Sequence, residues 1–75
     1  MGDIDNYTNL ANAIVILAAK DYWAALKTLK RNPNNTNARS VADEVERFFR
    51  SKWYTMLSDA DGEFILRKLK EEAGL

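Results

Sequence analysis

The chain has 75 residues, with eleven basic and eleven acidic side chains and with no histidine or cysteine. This length fits a single domain, residues 1–75. The missing residue types exclude a disulfide framework, a thiolate nucleophile, imidazole or thiolate metal ligands and the commonest general base. The balanced charge excludes a protein-wide field that would draw the chain to nucleic acid or an anionic membrane, so such binding would need a local patch.

The longest apolar run, Ala13–Ala19, is shorter than a bilayer-spanning helix requires, and Lys20 and Asp21 follow it directly. No basic stretch precedes the run, as a signal peptide would require. We therefore expect a cytoplasmic protein that has no membrane partner, no metal and no cofactor.

The segment Tyr7–Leu29 is predicted to form one long helix, because it is rich in Ala, Leu and Lys and contains no Gly or Pro. Three polar residues before it are candidate N-caps: Asp3, Asp5 and Asn6. At 100° per residue, an apolar stripe follows one face of this helix and polar residues lie opposite. Ile16 and Trp23, seven residues apart, lie outside the stripe and form a second apolar strip.

A loop over residues 32–37 is predicted to end the first helix, because Pro33 disfavours a helical residue before it and the Asn residues compete for backbone hydrogen bonds. The second helix then begins with Asn35 or Thr36 as its cap. Its inner face is predicted to consist of Ala38, Val41, Ala42, Val45, Phe48 and Phe49.

Two shorter helices complete the prediction. Continuing the second helix would bring Lys52 into its apolar face, so we expect a break near Ser51 and a short helix over residues 52–57, anchored by Trp53, Tyr54 and Leu57. The segment Ser58–Asp61 is typical of a helix cap. A last helix to about Glu72 follows, with Phe64 directed away from an inner face of Ile65, Leu66, Leu69 and Ala73.

The predicted fold class is therefore all-α, a small bundle of three long helices plus one short helix, in which the second helix runs antiparallel to the first. The predicted core draws on all four helices and consists of Tyr7, Ile14, Leu17, Ala18, Tyr22, Leu29, Val41, Val45, Phe48, Phe49, Trp53, Leu57, Ile65, Leu66 and Leu69.

The apolar residues outside the inner faces favour a protein interface. One interpretation is that a short helix or a chain end covers them. The other is that they bind a second copy or another protein along the first helix, because Trp is enriched in interface hot spots and the residues recur at helix-packing spacing. The predicted interface consists of Ile16, Ala19, Trp23, Leu26 and Phe64.

Basic residues offer an alternative function, nucleic-acid binding. They cluster around the Asn loop and again among the aromatic residues of the 47–54 segment, an arrangement that can neutralise phosphates and stack on bases. The aromatic residues fall at core spacing, however, which favours packing. The candidate nucleic-acid residues are Lys27, Lys30, Arg31, Arg39, Arg47, Arg50 and Lys52.

The acidic segment Asp59–Glu63 is similar to the middle of a calcium-binding loop. In that register Leu57 and Lys68 would occupy the first and twelfth positions, where oxygen ligands are required, so we favour helix capping. The sequence contains no nucleophile–base pair and no Gly-rich phosphate loop. We therefore predict that the chain is not an enzyme.

Three runs, Phe48–Tyr54, Leu57–Glu63 and Leu66–Leu69, resemble a group of short uncharacterised prophage-encoded proteins of Gram-positive Firmicutes. The resemblance extends from about Ala13 to Glu72. It implies a small intracellular protein of phage or mobile-element origin and supplies no catalytic residues. Together these observations predict a non-enzymatic helical protein-interaction module whose partner is itself or another protein.

Overall fold

The computed structural model describes residues 2–75, with side chains described from residue 10 onward. These residues form four helices: α1 (Gly2–Arg31), α2 (Thr36–Phe49), α3 (Lys52–Leu57) and α4 (Gly62–Ala73). Within the described range no residue is in a strand. The predicted all-α bundle with three long helices and one short helix is therefore confirmed.

The first helix is longer than predicted. It already includes residues 3–6, which we expected to cap it from outside. Acidic residues in the first turns of a helix complement its dipole, so they favour the helical conformation there as well as the cap position. The predicted core position Tyr7 lies outside the described side chains.

Local hydrogen bonds set the boundaries of the other helices. The side chain of Asn35 accepts a hydrogen bond from the Ala38 N–H at 2.9 Å and caps α2. Ser51 Oγ accepts from the Tyr54 N–H at 3.2 Å and caps α3, as predicted. The cap of α4 is Asp61, whose carboxylate accepts from the Glu63 N–H, whereas Ser58 ends α3 instead. Gly74, with φ 84°, ends α4 in the left-handed conformation that favours glycine.

The core lies where α2, α3 and α4 pack on α1. The predicted inner faces of α2 and α4 are confirmed, since their residues are buried or packed on the core. The buried core residues are Tyr22, Ala25, Leu26, Leu29, Ala38, Ala42, Val45, Phe49, Tyr54, Leu66 and Ala73. Phe48, Phe49 and Tyr54 form an aromatic group with ring centroids 5.0–5.8 Å apart.

Two predicted core residues are exposed. Trp53 is 57% exposed, whereas Tyr54, also predicted to anchor the short helix, is buried. Ser51 fixes where α3 begins, and from that start Tyr54 and Leu57, three residues apart, share the inward face, while Trp53 lies 100° away. Leu17 is 60% exposed. It lies 100° around α1 from Ala18, which is near the middle of the buried stripe.

Candidate interaction surface

The middle of α1 is apolar on nearly every side. In the stretch Leu10–Ala19 the only polar residue is Asn12. A helix of 30 residues is about 45 Å long, whereas the 14 residues of α2 extend about 21 Å. The molecule accordingly measures 47 × 20 × 18 Å. The other helices therefore cover α1 over only part of its length.

One flank of α1 faces α4. Ile16 is 52% and Trp23 40% exposed, so both predicted interface residues lie at the surface. Together with the half-buried Leu69 they line an apolar groove of about 250 Å³ between the two helices. Lys27 Nζ lies 4.7 Å from the centroid of the Trp23 ring and covers part of it. The groove brings Ile16, Ala19 and Trp23 together, as the sequence predicts.

Two residues of the predicted interface do not belong to this groove. Leu26 is 3% exposed and belongs to the core of the chain. Its assignment to a surface strip was wrong, because α2 and α4 close over the side of α1 on which Leu26 lies. Phe64 is 47% exposed but does not line the groove. Its ring instead lies within 6 Å of the charged groups of Arg67 and Lys68.

The opposite flank of α1 carries apolar residues that our sequence analysis did not assign to an interface. Leu10 is 61% exposed, as is Leu17 to almost the same extent. Ile14 lies between them and is partly buried beside the end of α2, where it borders Val45 and Phe48. The spacing of Leu10, Ile14 and Leu17 is the four-then-three pattern of a helix-packing strip, which could have identified this flank.

Arg50, at the end of α2, contacts two carboxylates. Its guanidinium donates two hydrogen bonds to the Glu63 carboxylate, at 2.5 and 3.3 Å, and lies 3.6 Å from Glu46. This pairing connects the end of α2 to the start of α4. The hydrogen bond from Arg50 lowers the pKa of Glu63, and the same bond raises the pKa of Arg50. Arg50 is therefore engaged within the fold and poorly placed to contact phosphates.

The other six candidate nucleic-acid residues divide between two ends of the bundle. Lys27, Lys30 and Arg31 end α1 beside the start of α2, where Arg39 lies; all four are exposed. Arg47 and Lys52 lie at the other end of α2, about 12 Å away along its axis. The structure therefore does not bring the seven candidate nucleic-acid residues into one patch.

Tyr22 and Glu46 form a partly buried polar contact between α1 and α2. Tyr22 is fully buried, and its hydroxyl donates a hydrogen bond to Glu46 Oε2 at 2.7 Å. Burial and this bond raise the pKa of Tyr22, so its hydroxyl stays protonated at neutral pH. Lys70 Nζ lies 3.9 Å from the same carboxylate. The hydrogen bond between the Tyr22 phenol and the Glu46 carboxylate therefore joins α1 to α2.

Two other kinds of site are absent from the part of the chain that the structure describes. Within residues 2–75, no helix combines the length and apolar character that crossing a membrane requires. The described side chains include no group of three or more carboxylates arranged to hold a metal ion. Comparisons of the chain with protein-family models, with curated proteins and with solved structures found no match.

Proposed function

We propose that this chain is a non-enzymatic, cytoplasmic protein-interaction module that binds through its first helix. The observation that carries the proposal is the uncovered apolar surface of residues 10–19. A helix that is apolar all round is normally buried, yet Leu10, Ile16 and Leu17 each expose more than half of their surface. Covering them with protein would remove this apolar surface from water, which favours association.

The groove beside α4 adds a second feature of a binding surface. Trp23 lies at its edge with an amphipathic ring, and Trp residues dominate the energetics of many interfaces. Lys20 and Glu72 border the same groove and supply a polar rim. The resemblance of residues 48–63 to short prophage proteins supports a phage or mobile-element origin for the module.

Site-specific photo-crosslinking tests the proposal. A photoreactive phenylalanine analogue is introduced at position 17 or 23, on the two flanks of α1, and at position 68 as an exposed control on α4. After irradiation in the cells that naturally make the protein, we expect discrete protein adducts from positions 17 or 23. Adducts that are absent, or that form equally from position 68, would contradict an interaction module of α1.

Nucleic-acid binding is the second candidate function, and one observation favours it. Among the described residues, Lys27, Lys30 and Arg31 form no ion pair with a carboxylate. They end α1 next to the exposed side chains of the Asn-rich loop, which contribute hydrogen-bond donors that could reach phosphates. This end of the bundle offers a small positive patch.

Salt dependence separates the two functions. A mobility shift with DNA or RNA that persists above about 150 mM salt and weakens when Lys30 and Arg31 are changed to Ala would favour nucleic-acid binding. Changing the exposed Arg67 and Lys68 of α4 to Ala is the control that removes the same charge. Association that is insensitive to salt and depends on Trp23 supports the interaction module.

A further inference from the structure

We infer that the partner of α1 is a second copy of this chain, bound antiparallel along the flank formed by Leu10, Ala13, Ile14 and Leu17. This flank is called the Leu10–Leu17 strip below. The inference rests on the proposed function, because it names the occupant of the same apolar surface. Three observations lead to it: the area left exposed, the spacing within the strip, and the distribution of charge along α1.

The chain exposes more area than a compact protein of its mass. Its 8.6 kDa expose 5507 Å², about 800 Å² more than the area expected for a compact protein of that mass. Its radius of gyration, 13.6 Å, likewise exceeds the roughly 11 Å of a compact domain of this length. A standard interface buries about 800 Å² on each partner. The excess over the whole chain is therefore of the size that one copy contributes to a dimer interface.

The Leu10–Leu17 strip is complementary to itself. In an antiparallel pair centred between Ala13 and Ile14, Leu10 of each copy lies against Leu17 of the other. Ala13 then meets Ala13, which lets the two helix backbones approach closely, and Ile14 meets Ile14. Leu10 and Leu17 thus pack at both ends of the contact, and the Ala13 and Ile14 pairs lie at its centre. A two-fold interface of this kind requires one surface patch to match itself.

Orientation follows from like charges and from the helix dipoles. A parallel pair would set each of Lys20, Asp21 and Lys27 beside its own counterpart. The antiparallel pair avoids these like-charge contacts and opposes the two helix dipoles.

Sedimentation equilibrium of the purified full chain tests the inference. We expect the apparent mass to rise towards twice 8.6 kDa as the concentration approaches about 100 µM. Leu17→Lys places a charge in the strip and should raise the dimer dissociation constant at least about tenfold. The matched control is Met56→Lys on α3, because Met56 is 71% exposed and lies outside the strip. Circular dichroism checks that both variants keep their helices.

Disulfide formation tests the register, since the chain has no cysteine of its own. Ala13→Cys should oxidise to a covalent dimer, because the two central positions are adjacent. Leu10→Cys should not, since its two copies would lie about 10 Å apart along the axis, beyond disulfide reach. Mixing Leu10→Cys with Leu17→Cys should restore the crosslink. Lys68→Cys on α4 measures random collision.

The outcomes separate this inference from the function on which it rests. A wild-type chain that remains a monomer at about 500 µM overturns the inference. Discrete adducts to another protein from position 17 or 23 would then preserve the interaction module, whereas their absence from both positions would overturn the proposed function as well. A dimer that crosslinks through Leu10→Cys alone, or that Leu17→Lys leaves unchanged, overturns the antiparallel Leu10–Leu17 strip.

Discussion

Two consecutive segments of α1 have opposite relations between apolar character and burial. Residues 20–31, the covered segment, carry four basic residues and one acidic one, yet Tyr22, Leu26 and Leu29 are buried. Residues 10–19, the uncovered segment, carry no charge, yet three of their large apolar side chains are exposed. Burial in this small protein thus follows from which helices lie alongside a segment, and the uncovered segment is available to a partner.

Truncating one aromatic residue of the core that packs on α1 should have the largest effect on stability. Phe49 is 2% exposed and packs against Phe48 and Tyr54, so Phe49→Ala should lower the free energy of unfolding by about 3–5 kcal/mol. Leu17→Ala, in the uncovered segment, should lower it by less than about 0.5 kcal/mol in dilute solution. Urea unfolding followed by circular dichroism measures both changes. If Phe49→Ala is unfolded in water, Phe49→Leu gives a graded loss.

Equal losses for Phe49→Ala and Leu17→Ala would remove the contrast between the core and the uncovered segment of α1. They would mean that Leu17 is buried within one copy of the chain. The comparison is made at low concentration, because association through the Leu10–Leu17 strip would add its own stabilisation.

The contact between the ends of α2 and α4 should give the next largest effect. A Cβ atom at Gly62 would collide with the backbone carbonyl of Phe49, which cannot move aside. Gly62→Ala should therefore lower the free energy of unfolding by about 1–3 kcal/mol. At Gly74 the added atom would meet the flexible end of Lys30, so only the backbone strain of about 1 kcal/mol is expected. A larger loss for Gly74→Ala, measured by thermal unfolding, would contradict this order.

Two buried tyrosines of the core should respond in opposite directions. Tyr22→Phe removes the hydrogen bond to Glu46 and should lower the free energy of unfolding by about 1–2 kcal/mol. Tyr54 Oη is buried without a hydrogen-bond partner among the described residues. Tyr54→Phe removes that unsatisfied hydroxyl and should raise the free energy of unfolding by about 1 kcal/mol. Urea denaturation of the pair checks the signs; a loss in Tyr54→Phe would reveal a partner for its hydroxyl.

The smallest expected effect is a pH dependence at the Arg50–Glu63 contact. Because Arg50 lowers the pKa of Glu63 from its ordinary value of 4.5, the carboxylate stabilises the fold above about pH 4.5 and loses this contribution as the pH falls through its lower folded value. Glu63→Gln should therefore reduce the fall in melting temperature between pH 6 and pH 3. The effect is small because both side chains are exposed.

Glu44→Gln is the control for this pH measurement. Glu44 is exposed and forms no ion pair within the described part of the chain. Its substitution should leave the pH dependence of the melting temperature close to that of the wild type. Similar curves for the two variants would show that the Arg50 contact contributes nothing specific.

The candidate surface could be predicted in part from the sequence. Ile16 and Trp23 are exposed because their positions around the helix axis lie outside the buried stripe of α1, and the sequence periodicity predicts this. Their groove with Leu69 could not be predicted, because it depends on where α4 crosses α1. Leu69 is far from both residues in the sequence. The same holds for Arg50 and Glu63, which are thirteen residues apart and on different helices.

By itself, the sequence determined the all-α class, the order of the four helices, the break at Ser51 and the inner faces of α2 and α4. These features depend on hydrogen bonds and periodicity within a few residues of each position. Only the tertiary structure decided that Asn35 and not Thr36 caps α2, and that Leu26 is buried while Leu17 and Trp53 are exposed. That choice depends on how far the short helices reach along a 30-residue one, and no local interaction specifies this length.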